Sequence, residues 1–116
     1  MWNRPTQKQL AKLPPLYSTE GVELKEKIVR MHFFLGGSDW WAVEYSPEKE
    51  LFFGFVCLGG DKQNAEWGYF SLPELVVQRF SGMEIDRDLY WTVRPVCKVA
   101  EIPDDKYHDR NLDSVL

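Results

Sequence analysis

The chain has 116 residues and a formal net charge of −4, with 28% charged and 44% hydrophobic residues. This length suits one folded domain and is too short for two full-sized ones, and the composition excludes a chain that is disordered throughout. No run approaches the roughly 18 apolar residues of a membrane span, and no apolar signal core follows the first residues, so we expect a cytoplasmic protein without a membrane partner.

The first predicted element is a short helix that begins after Thr6. Residues 6–9 have the pattern of a capping box, in which the Thr6 hydroxyl accepts from the amide of Gln9 and the Gln9 side chain reaches back. The helix is expected to stop by Leu13, because Pro14 and Pro15 cannot continue it.

Four strands joined by short turns are predicted next. The turn at Gly36 and Gly37 favours a hairpin between the first two strands. The third strand is nearly all apolar, which is typical of a central strand covered on both faces. Gly54 inside it indicates a bulge or the close approach of another group. The predicted strands cover residues 28–34, 40–45, 51–58 and 67–70.

A second helix and a fifth strand complete the predicted domain. Ser71 and Glu74 resemble a second capping box, and the helix after it is expected to run on to Gly82. Alternation over residues 89–93 predicts the last strand. The order of elements predicts an α+β fold, namely a curved antiparallel sheet of about five strands with a short N-terminal helix and one helix before the last strand.

The predicted domain covers residues 1–98, and residues 99–116 are predicted to form an acidic, flexible tail. The tail holds five acidic and two basic residues. From residue 102 on the chain is mostly polar, and terminal segments of this kind are commonly frayed or loosely docked.

Three motifs together resemble a known family. They read LPPLY at 13–17, GYFSLPEL at 68–75 and IDRDLY at 85–90. With the aromatic hairpin between them, they are similar to the small domain-of-unknown-function family 2958 over about residues 6–98. The resemblance implies a short bacterial protein that is often carried on plasmids or other mobile elements, and it brings no catalytic residue with it. It also implies an association with host or defence machinery.

The acidic residues Glu84, Asp86 and Asp88 are weak candidates for a metal site, since alternate residues of an extended chain project to one side. The alternative is a structural acidic segment before a strand. A metal- or phosphate-ester-dependent enzyme would use His32 together with these carboxylates. Cys57 falls in the most apolar strand, where a thiol is usually inert. No metal-binding motif of His or Cys spacing is present, and we predict no cofactor and no catalytic residue.

The aromatic content is 15%, with five Trp, five Tyr and seven Phe. Trp40 and Trp41 are adjacent and therefore face opposite sides of a strand, so one is expected in the core and the other on an outer face with Tyr45 or Trp67. Outer rings near Arg94 are open to three interpretations: cover by the N-terminal segment, contact with a protein partner, or stacking on bases.

These observations favour a small cytoplasmic protein-binding module rather than an enzyme. Its predicted interface comprises Trp40 or Trp41 with Trp67, and acids such as Glu44 and Glu66 form the rim. We expect it to act on a host protein as an accessory or anti-defence protein of a mobile element. The alternatives are the metal- or phosphate-ester-dependent enzyme and a single-strand nucleic-acid binder, which the negative net charge disfavours.

Overall fold

The structure is a computed structural model that describes residues 1–108. Two short α-helices, α1 and α2, cover Gln7–Leu10 and Leu72–Val77. No helix within the described range is long and apolar enough to cross a membrane. The strands in chain order are β1 Ile28–Val29, β2 Met31–Leu35, β3 Ser38–Ser46, β4 Leu51–Cys57, β5 Glu66–Ser71, β6 Arg79–Phe80, β7 Met83–Glu84, β8 Asp86–Arg87 and β9 Arg94–Pro95.

The main sheet has five antiparallel strands in the order β5-β4-β3-β2-β8. Two small ribbons accompany it, one formed by β1 with β9 and one by β6 with β7. The predicted α+β class and the five-stranded antiparallel sheet are therefore confirmed.

Helix α1 begins as the sequence predicts. The amide of Gln9 donates to the Thr6 hydroxyl at 3.2 Å, and the Gln9 side chain accepts from the Thr6 amide at 2.8 Å. The helix has only four residues, yet it buries Leu10, and Leu13 after it is buried as well. This short amphipathic segment covers one face of the sheet because its leucines join the core there.

The central hairpins confirm two predictions about glycine. Gly36 and Gly37 form the turn between β2 and β3, and Gly36 has a φ of 57°, which glycine adopts without strain. Gly54 on β4 pairs with Ala42, where the register of β3 shifts before Glu44. An added Cβ at Gly54 would lie 1.9 Å from the Trp41 carbonyl oxygen, so the backbones approach too closely for any side chain.

Helix α2 is shorter than predicted. It begins at the expected N-cap, where the Ser71 hydroxyl accepts from the Glu74 amide at 3.3 Å. It ends at Val77, because Gln78 is already extended, with a ψ of 138°, and leads into β6. Ser81 and Gly82 both adopt positive φ and form the two-residue turn between β6 and β7. Gly82 is therefore a hairpin residue rather than a helix terminator.

The predicted fifth strand at residues 89–93 is wrong. The strand that joins the sheet is β8, which pairs with β2 through Phe33 and Phe34. Asp88 ends it, since its carboxylate accepts from the Tyr90 amide at 3.0 Å and turns the chain. The alternating residues that follow are mostly exposed instead of paired.

Both faces of the sheet are covered. One core lies under α1 and α2, and its buried residues are Leu10, Leu13, Met31, Phe33, Trp40, Ala42, Tyr45, Phe52, Phe70, Leu72, Leu75 and Ile85. The other lies under the C-terminal segment and contains Val29, Trp41, Val43, Phe55, Cys57, Ala65, Val96, Val99 and Ile102.

The domain extends past its predicted boundary at residue 98. Val99 and Ile102 are each 2% exposed and belong to the second core. The prediction of a flexible tail from residue 99 is therefore wrong for the residues up to 102, because two apolar side chains spaced three apart reach the core. The remainder of that predicted tail, residues 109–116, lies outside the described residues.

Gly54→Ala should destabilise the protein by about 1–3 kcal/mol or more, because the new methyl group meets backbone that cannot move freely. The matched control is Gly68→Ala, since Gly68 is the cross-strand partner of Gly54 and an added Cβ there meets nothing within 4 Å. Urea unfolding of the two variants measures the difference. Equal stability of both variants would contradict the close approach.

Candidate functional site

Three aromatic residues of the predicted binding surface are buried. Trp40, Trp41 and Tyr45 are 5%, 2% and 2% exposed, respectively. Trp40 and Tyr45 pack beneath the helices, whereas Trp41 packs on the other face beneath the C-terminal segment. The expectation that one indole of the pair faces outward is therefore wrong, because the chain covers both sides of β3.

Trp67 and Arg94 lie nearer the surface but are engaged within the chain. The indole nitrogen of Trp67 donates to the Lys106 carbonyl at 2.9 Å, and its half-buried ring packs beside Phe53. The guanidinium of Arg94 lies 3.9 Å from the centre of the Trp91 ring. Arg94 therefore supports the fold of the C-terminal segment around Trp91.

The three candidate metal-binding carboxylates have separate partners. Glu84 contacts the amino group of Met1, Asp86 accepts from the Asn3 amide group at 2.8 Å, and Asp88 bonds to a histidine. The three carboxylates are regularly spaced in the sequence, but they do not form one cluster because each is bonded to a different partner. Within residues 1–108, no group of three or more His, Cys, Asp or Glu side chains is placed to hold a metal ion.

The histidine that Asp88 contacts is His32, and Asp39 contacts its other side. Nδ1 of His32 lies 2.9 Å from Oδ2 of Asp88, and Nε2 lies 2.8 Å from Oδ1 of Asp39. A neutral imidazole has only one N–H, so two carboxylates are satisfied together only by the imidazolium form. This cluster, called here the histidine bridge, ties β2 to β3 and to the turn after β8.

Aromatic rings enclose the histidine bridge. The His32 ring stacks on Trp41 at 5.3 Å with an interplanar angle of 11°, and Trp91 lies 5.3 Å away on a tilt of 47°. Burial alone would lower the pKa of His32, but the hydrogen bonds to Asp39 and Asp88 outweigh it and raise the pKa above its ordinary value of 6.5. The imidazolium form of His32 therefore persists to a higher pH than that of an exposed histidine.

Sequence reasoning singled out His32 and Asp88 but missed Asp39. The signal was present in the predicted hairpin, since the turn at Gly36 and Gly37 pairs His32 directly with Trp41. That register makes Asp39 the diagonal neighbour of His32 on the same face of the sheet.

The histidine bridge does not form a nucleophilic site with Cys57. Cys57 pairs with Asp39 across the sheet, but the thiol is 3% exposed. Burial, and after it the charge of Asp39, raises the pKa of the Cys57 thiol and keeps it neutral. Both nitrogens of His32 are already bonded to carboxylates, so the imidazole has no free position for a base.

Glu44 is a buried anchor and does not belong to the rim predicted from the sequence. It is 3% exposed and accepts from the amides of Tyr17 and Thr19 at 2.8 and 3.0 Å, and from the Thr19 hydroxyl. The ammonium of the buried Lys27 contacts the same threonine. This network fixes the loop after the prolines and brings Tyr17 beside Tyr69, with their ring centres 6.2 Å apart.

Strand β5 is an open edge of the sheet. It pairs with β4 on one side, and within residues 1–108 no backbone group bonds to its other side. Tyr69 on this strand is 51% exposed and lies beside Phe53. The strand also carries Glu66 but has no Lys or Pro, the residues that commonly protect an edge.

The opposite edge of the sheet is closed. Trp2 forms a parallel bridge with Asp86 on β8. The Trp2 amide donates to the Ile85 carbonyl at 2.9 Å, and the Arg87 amide donates to the Trp2 carbonyl at 3.3 Å. The first residues therefore satisfy the backbone of one edge, whereas β5 has no such cover within the described part of the chain.

Three shallow depressions adjoin Tyr69. Their volumes are about 280, 240 and 150 Å³. The largest includes Leu58, Glu66 and Trp67, and the smallest includes Tyr17 and Phe53. We call this surface the β5 surface. It comprises strand β5, the neighbouring rings of Tyr17 and Phe53, and the three depressions.

The fold and this surface define a class of protein: a small α+β domain whose antiparallel sheet is covered on both faces and, over residues 1–108, open at one edge. The chain belongs to the family described as "Protein of unknown function (DUF2958)", whose model matches residues 16–105. The family resemblance seen in the sequence is thereby confirmed. Comparison with curated proteins and with solved structures finds no match.

The histidine bridge predicts a pH-dependent stability. Since the folded-state pKa of His32 is raised, its stabilisation is complete below about pH 6.5 and is lost as the pH rises through the folded value. His32→Gln should therefore cost most stability in mild acid and progressively less above neutrality, as urea unfolding across pH will measure.

The control for this prediction is His108→Gln, which removes the other histidine and leaves His32 as the single imidazole. Its NMR titration should place the pKa of His32 above 6.5, and Asp39→Asn should lower it. Titration of His32 at or below its ordinary value would contradict the bridge.

Glu44→Gln should destabilise the fold by about 1–3 kcal/mol, because a charged acceptor of three hydrogen bonds becomes an amide that cannot accept all of them. Glu48→Gln is the control, since Glu48 is exposed in the turn between β3 and β4. Thermal unfolding measures both. A Glu44→Gln variant as stable as the control would show that the anchor contributes nothing.

Proposed function

We propose that the protein is a small binding module that engages another protein through the β5 surface. The observation that carries the proposal is the contrast between the two sheet edges. The N-terminal residues cover β8, whereas no backbone group of residues 1–108 bonds to the outer side of β5, which carries a half-exposed Tyr69. An open edge with an aromatic residue beside it is a template for pairing with another chain.

The aromatic residues of this interface differ from those expected from the sequence. Tyr17 and Tyr69 are 52% and 51% exposed and contact each other, and Trp67 lies half-buried on the same strand as Tyr69. Tyrosine offers a large contact area together with a polar group, and it is enriched at protein interfaces. Of the five residues predicted for binding, Trp67 is the one that this proposal keeps.

The proposal includes the setting that the family resemblance implies. The protein would act in the bacterial cytoplasm on a host protein, as an accessory or anti-defence protein of a mobile element. The two cysteines support a reducing compartment, because Cys57 and Cys97 are free thiols and Cys97 is exposed. The mobile-element role rests on the resemblance alone.

The two alternative functions gain no support from the geometry. The candidate carboxylates are each bonded to a different partner, and Cys57 is held as a neutral thiol. The net charge of −4 and the acidic residues around β5 oppose phosphate binding. We therefore argue for the protein partner.

The test compares two exposed tyrosines on different parts of the fold. Tyr69 lies on β5, whereas Tyr90 is 93% exposed after β8, at the other edge of the sheet. The tagged full chain and its Tyr69→Lys and Tyr90→Lys variants are expressed in a bacterial host, and captured proteins are quantified by mass spectrometry. We expect a partner whose recovery falls at least about tenfold with Tyr69→Lys and is unchanged with Tyr90→Lys.

Thermal unfolding of both variants establishes that the fold survives. Recovery that falls equally with both variants, or with neither, would contradict binding through the β5 surface.

A further inference from the structure

We infer that the partner segment is an extended basic peptide that adds to β5 as a further strand of the sheet. This inference rests on the proposed function and specifies its partner. It combines the unpaired backbone of β5 with the charges that surround it.

Backbone pairing determines the extended conformation of the partner. The outer side of β5 has no backbone hydrogen bond within the described residues, and the strand runs for six residues. A peptide of about six to eight residues would satisfy these groups along the whole edge. Its side chains would alternate between two sides of the sheet, one beside Tyr17 and Tyr69 and the other beside Leu58 and Glu74.

Acidic side chains surround this edge on both sides. Four exposed carboxylates line the three depressions that adjoin Tyr69, and they belong to Glu20, Asp61, Glu66 and Glu74. The cation among the lining residues is Lys27, which is buried against Thr19. The lining of the depressions therefore carries a net negative charge, which favours Lys and Arg in the partner.

Asn64 and Lys106 lie near these carboxylates, but neither neutralises them. Hydrogen bonds from Asn64 keep the pKa of Asp61 below its ordinary value, so that carboxylate is ionised. Lys106 lines a separate depression with Glu66 and Trp67, its ammonium donates to the Gln63 carbonyl at 2.9 Å, and its charge also favours the ionised form of Asp61. Neither group removes the acidic character of the depressions beside Tyr69.

The same charges argue against a second copy of this chain as the partner. Pairing two β5 edges would bring two copies of this acidic surface together in a protein whose net charge is already −4. Like charges facing each other in a sheet are destabilising. A basic segment of another protein meets no such penalty.

The experiment uses three synthetic peptides of about eight residues, matched to the length of β5. The basic peptide alternates Lys and Arg with Val and Tyr. The acidic peptide replaces Lys and Arg with Glu, and the blocked peptide is the basic one with alternate backbone amides methylated. Binding to the full chain is measured by calorimetry, and the site is mapped by amide exchange in NMR.

We expect the basic peptide to bind and to slow amide exchange within Glu66–Ser71 but not in β8. The acidic and blocked peptides should each bind at least about tenfold more weakly. Glu66→Gln combined with Glu74→Gln should weaken the basic peptide, whereas Glu101→Gln, an exposed acid outside the depressions, should not.

The outcomes separate this inference from the proposed function. Equal binding of basic and acidic peptides would overturn the charge preference while the β5 surface remains a docking edge. Failure of every peptide, with a captured partner that still depends on Tyr69, would overturn the extended basic segment but leave the proposed function intact. Formation of a dimer through β5 in sedimentation would replace the inferred partner with a second copy.

Discussion

The burial of aromatic rings on both faces of one strand governs this structure. Trp40 and Trp41 are neighbours on β3, so their indoles enter opposite cores. Each core requires its own cover, and the chain supplies the helices on one side and the segment around Ile102 on the other. Because both faces are occupied and Trp2 covers β8, the part of the sheet that the described residues leave uncovered is the β5 edge.

Two polar networks, one half-buried and one buried, organise the segments that have little regular structure. The histidine bridge joins His32 and Asp39 on the sheet to Asp88 in the following turn. Glu44 does the same for the N-terminal loop through the amides of Tyr17 and Thr19. Buried charges are costly unless they are fully bonded, so these two networks specify where the loops lie. The position of Tyr17 beside the open edge follows from the second network.

The sequence by itself determined the features that depend on residues close together along the chain. The capping box at Thr6, the N-cap at Ser71 and the turn at Gly36 were all predicted, because each is formed by bonds within a few residues. The α+β class and the five-stranded antiparallel sheet followed from the order of such elements. Gly54 was also identified as a bulge or a place of close approach, because a glycine weakens a strand interior and often marks one of these two features.

Tertiary structure alone decided which surfaces are covered. Alternation predicts that Trp40 and Trp41 face apart, but it does not reveal that the chain has enough covering segments for both. Tertiary structure likewise closed β8 with Trp2 and, within the described residues, left β5 open. These outcomes depend on contacts between segments far apart in the chain, and the residues at either end carry no local signal of their partner.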